Sequence, residues 1–211
     1  MQYLVTMTTR VPHGTDESEV GRVRASEAVR SRELAAEHAL LRLWRPPLQP
    51  GEWRTLGLFA AASDDELQKV LVSMPLRVWR TDQVTPLATH PHDPGPRTVA
   101  RRAGQVEFLT TMIVTVPSGT APEPVADAYD QEGIRLAELA DQGHLLRLWR
   151  LPGERRSLGH WQARDSGELE GMLAALPLSP WLTFETLALS SHPSDPASGP
   201  TDPSSWKDSN R

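Results

Sequence analysis

Cysteine is absent from all 211 residues, which excludes disulfides, thiolate nucleophiles and sulfur-ligated metals and suits a reducing cytoplasm. Long apolar runs are also missing: nothing approaches the roughly 20 residues that span a bilayer. The opening MQYLVTMTTR lacks the basic start and apolar block of a secretory signal, so a cytoplasmic chain without membrane association is expected. Positive charge is not in excess. A formal net charge of -5 gives no basic field to hold nucleic acid, and no charge run suggests a polyelectrolyte partner.

What the chain does contain is itself, twice. LLRLWR at 40–45 returns at 145–150, and a shift of 105 superimposes everything before it without a gap, pairing Met7 with Met112, Pro12 with Pro117, Glu27 with Glu132 and Arg30 with Arg135. After the hexapeptide the shift falls to 102, pairing Leu56-Gly57 with Leu158-Gly159, Pro75 with Pro177 and His90-Pro91 with His192-Pro193. Each repeat alone would bury a modest core, so packing of one against the other, or of chain against chain in a homo-oligomer, is expected.

Each repeat is expected to run strand, helix, strand, strand, helix, strand. Tyr3, Val5 and Met7 alternate with Leu4, Thr6 and Thr8 at the period of a strand. Asp16 to Glu19 supply an acidic first turn, and Val20, Val23, Glu27, Arg30 and Leu34 follow at helical spacing on one expected face. LLRLWR is short and alternating, hence a strand, with a partner strand over 53–62. Ser63 with Glu66 forms a capping box opening a second helix that ends before Pro75, and a last strand is expected over 78–87. The second repeat predicts strands at 108–116, 145–150, 157–163 and 181–189 and helices at 124–142 and 165–176. This order is that of a ferredoxin-like α+β sandwich. The boundaries expected are a first domain over 1–94, a linker over 95–105 holding Arg97, Arg101 and Arg102, a second domain over 106–196, and a Pro/Ser-rich, unstructured tail over 197–211 in which Trp206 is the one large apolar residue.

Chemistry centres on Glu27 and Glu132. A carboxylate within an apolar helix stripe is costly to bury and demands an explanation. One is structural, an ion pair with Arg30 or Arg135 one turn on. The other is a general base whose pKa is raised by desolvation. In LLRLWR, Arg42 and Trp44 point to one side of the strand, as do Arg147 and Trp149; these arginines can either clamp an anion or lie over apolar surface, and these tryptophans can be a pocket wall or core. Arg45 points to the other side, where it can lie beneath the long helix and reach Glu27. His90 and His192, at strand ends, lack companion ligands at metal-like spacing and suit a strand-end cap or a donor at a pocket rim. No metal is expected.

The strand with M-T and a proline, the A-x-E of the long helix, L-W-R, the L-P-L after the second helix and the closing H-P together resemble the muconolactone delta-isomerase family, over both repeats. The resemblance implies two tandem ferredoxin-like domains packed sheet to sheet as a dimeric-type α/β barrel. It also implies an enzyme of aromatic catabolism that moves a double bond in a small lactone without metal or organic cofactor. The connecting stretch His92 to Gln105, roughly fourteen residues, spans up to about 45 Å, enough for the sheets to pair within one chain.

Carried over by position, the family's helix glutamate is Glu27 and Glu132, its L-W-R is Leu43-Trp44-Arg45 and Leu148-Trp149-Arg150, and its lysine one turn before the glutamate is Arg24 in the first repeat but Tyr129 in the second. The implied catalytic set is Glu27, Glu132, Arg24, Arg45 and Arg150. Arg42, Trp44, Tyr129, Arg147, Trp149, His90 and His192 are the substrate contacts. A glutamate would remove a proton vinylogous to the lactone carbonyl, a cation would hold the dienolate, and the same carboxyl would return the proton elsewhere. Two other classes stay open: a cyclase or tailoring enzyme acting on a larger natural-product intermediate, and a non-catalytic ligand-binding module.

Overall fold

The computed structural model describes residues 1–96, 102 and 104–198. The linker residues Arg97 and Arg101 and the tail from 199 on, including Trp206, lie outside the described residues. The first residues of the expected tail are not irregular, since Pro196–Ser198 forms a 3-10 turn. Among the described residues no helix is long and apolar enough to cross a membrane.

The chain is α+β, and its described residues form eight strands and four α-helices arranged in two ferredoxin-like units. In the first repeat these are β1 Gln2–Thr9, α1 Glu17–Ala36, β2 Leu40–Arg45, β3 Arg54–Ala60, α2 Asp64–Ser73 and β4 Arg80–Thr89. The second holds β5 Val106–Val114, α3 Pro122–Asp141, β6 Leu145–Arg150, β7 Arg156–Ala163, α4 Ser166–Ala174 and β8 Leu182–Ser191. Helix starts follow the expected chemistry. Asp16 accepts from the Ser18 N–H at 2.7 Å, Ser63 from Glu66 at 3.2 Å and Asp165 from Glu168 at 2.9 Å. The last strands begin later than periodicity predicts, because Pro75–Trp79 and Ser179–Trp181 form 3-10 turns ahead of them.

The compact units cut the chain differently from the repeats: one comprises Met1–Pro86 with Ser190–Arg211, the other Leu87–Leu189. In the first unit β3 lies antiparallel between β1 and β2, with Val5 opposite Gly57, and Ser191 at the end of β8 pairs with Trp44. In the second, the sheet order is β8-β5-β7-β6, and Thr89 at the end of β4 pairs with Trp149. The glycine shared by the two middle strands has a steric reason. A Cβ at Gly57 would strike the Phe59 ring, and one at Gly159 the Trp161 ring, so each glycine makes room for the aromatic two residues on. Helices cover one face of each sheet, burying Tyr3, Val5, Leu34 and Phe59 with Leu67 in one unit and Phe108, Leu136, Trp161 and Leu169 in the other.

Candidate functional site

Each unit carries a cavity between its long helix and its sheet, and equivalent positions build both. In the first unit Arg24, Glu27 and Ser31 of α1 face Met7, Leu43 and Arg45 of the sheet; in the second, Tyr129, Glu132 and Leu136 of α3 face Met112, Leu148 and Arg150. The cavity face of α1 is therefore not the five-residue stripe expected. Arg30 points away from Glu27 and instead binds Ser73 Oγ, Glu33 and Glu37, while Arg135 binds Glu138 at 2.8 Å. Of the two readings of these glutamates, the one-turn ion pair does not form, because Arg30 and Arg135 lie on the flank of their helices and are taken there by the exposed carboxylates of Glu33 and Glu138, three residues on.

What meets the glutamates is the turn after the second helix. Pro75 ends α2, leaving the Leu76 N–H to donate to Glu27 Oε2 at 2.8 Å; after Pro177 the Leu178 N–H donates to Glu132 Oε2 at 3.0 Å. The Pro-Leu pair retained in both repeats thus supplies one amide per carboxylate. Beyond that point the two sites differ.

Glu27 has a counter-charge that the sequence reading missed. Arg80 NH1 lies 3.1 Å from Glu27 Oε1, and the same buried guanidinium donates to Asp82 at 2.7 and 3.2 Å and to the Leu71 carbonyl at 3.1 Å. Arg45, expected to reach Glu27, lines the same cavity without that contact. The internal shift of 102 puts Leu182 at the position of Arg80 and Phe184 at that of Asp82. An arginine at the strand start where the copy has leucine was the available signal.

Glu132 consequently has no cationic partner among the described residues, although it is only 8% exposed. Burial pushes its pKa above the ordinary carboxylate value of 4.5, and the Leu178 amide offsets this only in part. Burial raises the Glu27 pKa too, but there the Leu76 amide and the Arg80 charge oppose it while Asp82 adds to it.

A stability consequence follows for Glu132. A raised folded-state pKa means that the folded protein binds the proton more tightly than the unfolded chain. The penalty is absent below pH 4.5 and grows as pH rises through the shifted value. Glu132→Gln keeps an acceptor for Leu178 and removes the charge, so its stability should match that of the wild type near pH 4 and exceed it at pH 8. Calorimetric melting across that range checks this; a variant less stable at pH 8 than at pH 4, relative to wild type, contradicts it.

The strand-end histidines sit in the cavity of the opposite repeat's helix: His192 lines the Glu27 cavity and His90 the Glu132 cavity. In each, the backbone N–H two residues on donates to Nδ1, from Ser194 at 3.1 Å and from His92 at 3.2 Å. Nδ1 is thus the acceptor, and the neutral ring carries its proton on Nε2. Burial holds both rings neutral, with the His90 pKa lowered to about 4, helped by His92 and Arg150, and that of His192 to about 3, helped by Arg45 and Arg24. Each cavity therefore has an uncharged donor at its rim.

The arginine and tryptophan on the other side of LLRLWR have different duties from those expected. Arg42 forms a forked pair with the buried Asp195, and Arg147 an equivalent pair with Asp93, each at 3.0–3.3 Å. The same aspartates accept the Leu43 and Leu148 backbone N–H groups. Trp44 and Trp149 are 1% and 2% exposed, line neither cavity, and have Arg42 and Arg147 stacked over them at 4.9 Å. The tryptophans are buried in the core and the arginines are paired with carboxylates, because side chains alternate and this side of the strand faces away from the cavity. The indole that does line a cavity is Trp53, beneath Arg24 at 5.3 Å.

The cavities also differ in size. Charged and aromatic side chains leave about 40 Å³ around Glu27, whereas leucines replace Ser31 and Arg80 and about 420 Å³ opens beside Glu132. Among the described residues no group of three His, Asp or Glu side chains is gathered to hold a metal ion.

The family model of muconolactone delta-isomerase matches residues 1–93 and 106–195, most of the chain and both repeats. The chain belongs to the muconolactone delta-isomerase family. It is 33% identical over 91 residues to the Muconolactone Delta-isomerase of Cupriavidus pinatubonensis, covering 43% of this chain and 96% of that one. It is 32% identical over 92 residues to that of Acinetobacter baylyi, covering 43% of this chain and 90% of the relative. Each relative corresponds to about half of this chain, as a tandem duplication of the family's domain requires. At the level of fold alone, the chain is similar to a heme-binding protein from Thermus thermophilus, with TM-score 0.56 and 11% identity over 90% of this chain and 92% of that one. A chlorite dismutase from Candidatus Nitrospira defluvii gives TM-score 0.57 and 10% identity over 90% and 91%. In this muconolactone isomerase family member the shared Pro-Leu pair supplies an amide to each glutamate, and the shared methionine of the first strand, the Leu and Arg of LLRLWR that face it and the strand-end histidine frame its cavity.

Proposed function

We propose that the chain is a cofactor-independent isomerase that moves a proton and a double bond in an unsaturated lactone or related enolisable ring, and that the cavity of Leu87–Leu189 performs this reaction. One observation carries the proposal. Glu132 is a buried carboxylate with a raised pKa, one amide contact and, among the described residues, no ion-pair partner, beside a cavity of about 420 Å³.

Such a carboxylate suits general base catalysis, since a raised pKa makes its ionised form a stronger base. Glu132 would take a proton vinylogous to the lactone carbonyl. The electron pair of that C–H bond moves into a dienolate whose charge rests on the carbonyl oxygen. The neutral Nε2–H of His90 can donate to that oxygen without lowering its charge by full proton transfer, and Tyr129 offers a second hydroxyl donor. Arg150, at the edge of the same cavity, is the group suited to hold a substrate carboxylate.

The Glu27 site fits this chemistry less well. Arg80 favours its charged form and holds one of its oxygens, and the space beside it would admit only a few atoms. The size of the Glu132 cavity favours a second reading in which the enolisable ring belongs to a larger acid, as for a cyclase, because pockets of about 300–1,000 Å³ usually take drug-sized ligands.

The test is proton exchange. The full chain, incubated in D₂O with muconolactone and with a butenolide bearing a larger acidic substituent, should introduce deuterium at carbon in at least one of them, as followed by proton NMR. Absence of exchange and of isomer formation in both would remove the isomerase reading.

A further inference from the structure

The histidine after the H-P motif has no assigned role, yet the long helix is cut away to receive it. Gly133 follows Glu132 in the middle of α3. A Cβ there would lie 2.5 Å from His92 Cε1, 2.9 Å from Nδ1 and 3.0 Å from Nε2, so the imidazole rests against the bare backbone of the helix at this residue. Glycine inside a helix costs about 1 kcal/mol relative to alanine, and the cost calls for a local reason.

The other unit shows the alternative solution. Its equivalent positions are Ala28 and Ser194: a methyl group on the helix and a small side chain across from it. Ring and glycine thus occur together in one cavity, and neither occurs in the other. His92 lines the cavity that holds Glu132, its ring lies 5.6 Å from that of His90, and among the described residues no hydrogen bond or ion pair occupies its ring nitrogens.

We propose that His92 is a second acid-base catalytic residue, seated beside Glu132 by Gly133, that delivers the proton to the far carbon of the dienolate. This rests on the isomerase reading of the Glu132 cavity. The step balances without any added reagent. Glu132 accepts a proton from carbon and becomes the neutral acid. The imidazolium of His92 gives its N–H proton to the remote carbon as the dienolate electrons form the new C–H bond. Proton transfer from Glu132 to the neutral imidazole then restores both groups. Two separated groups allow the proton to leave one carbon and arrive at another without one carboxyl having to reach both. The titratable and charged groups that line this cavity with His92 are Tyr129 and Glu132 of α3, His90 of its own segment, Arg150 of β6, Arg155 and Arg156.

The experiment uses the full chain and three variants. His92→Gln should lower kcat by about 10²-fold with KM changed less than about twofold, and free imidazole should restore part of the rate. In D₂O this variant should return more of the original hydrogen to the product, because Glu132 alone then carries the proton across. Gly133→Ala should displace the ring and lower kcat in the same way while leaving the melting temperature equal or higher, since alanine is the better helix former. A merely structural histidine would not produce that opposition. Wild-type kcat and unchanged hydrogen return in His92→Gln overturn the proposal. Should no butenolide be turned over at all, NMR of the His92 ring still decides whether it lies against the glutamate: its ring chemical shifts should move in Glu132→Gln and stay constant in Glu27→Gln. Unchanged ring shifts in Glu132→Gln refute the pairing, independently of the isomerase reading.

Discussion

Glu132→Gln should reduce kcat/KM for the lactone by about 10²–10⁴-fold, whereas Glu27→Gln should retain most of the activity. The asymmetry arises from what surrounds two identical side chains. At Glu27, the Arg80 guanidinium neutralises the carboxylate and occupies Oε1, while the Leu76 amide occupies Oε2. At Glu132 only Oε2 is engaged, by Leu178, and the group borders a cavity about ten times larger in volume, 420 against 40 Å³. The base must be ionised to work, so the wild-type rate should rise with pH through a value above 4.5 and then level off. Steady-state kinetics and solvent deuterium incorporation measure both. Full activity in Glu132→Gln removes this carboxylate as the base; equal losses in the two variants would instead assign chemistry to both cavities.

Arg80→Leu should destabilise the fold by about 3–5 kcal/mol, the largest stability effect expected of a single substitution here. Arg80 is 3% exposed, and its guanidinium meets buried or half-buried groups: Glu27, Asp82, the Leu71 carbonyl and, at 3.6 Å, Met74 Sδ. Removing it leaves the Glu27 carboxylate without a cation and Asp82 with only the more distant Arg77, at 3.9 Å. The penalty comes from the orphaned charges and not from the lost pair as such, so removing the carboxylates as well should reverse most of it. The triple variant Glu27→Gln, Arg80→Leu, Asp82→Phe imports the second unit's Leu182 and Phe184 and should recover most of the stability. Denaturant midpoints of the two variants check this. If the triple variant is no more stable than Arg80→Leu, the damage lies in packing and the electrostatic account fails.

The kinds of residue at the candidate site were legible from the chain far more readily than their partners. Glu27 and Glu132 stood out because a carboxylate recurs at the same place in an otherwise apolar helix stripe, and both line cavities. Arg45 and Arg150 were likewise put on the correct side of their strand by simple alternation. Arg42, Arg147, Trp44 and Trp149 were misread because alternation tells which side a residue faces and not whether that side meets a cavity or a core. Asp93 and Asp195, which take the two arginines, lie far off in sequence, 54 and 153 residues from them, and nothing local connects the pairs.

Repetition, capping and hydrophobic period are properties of short stretches of chain, governed by backbone geometry and by burial of one face. They sufficed for eight strands, four helices, the ferredoxin-like order and the duplicated plan. The exchange of terminal segments that brings His192 to Glu27 and His90 with His92 to Glu132, the choice of Arg80 over Arg30 as partner, and the tenfold difference in open volume emerge only when the sheets are assembled. These depend on long-range packing, where one leucine in place of one arginine decides whether a buried carboxylate is neutralised or left as a base.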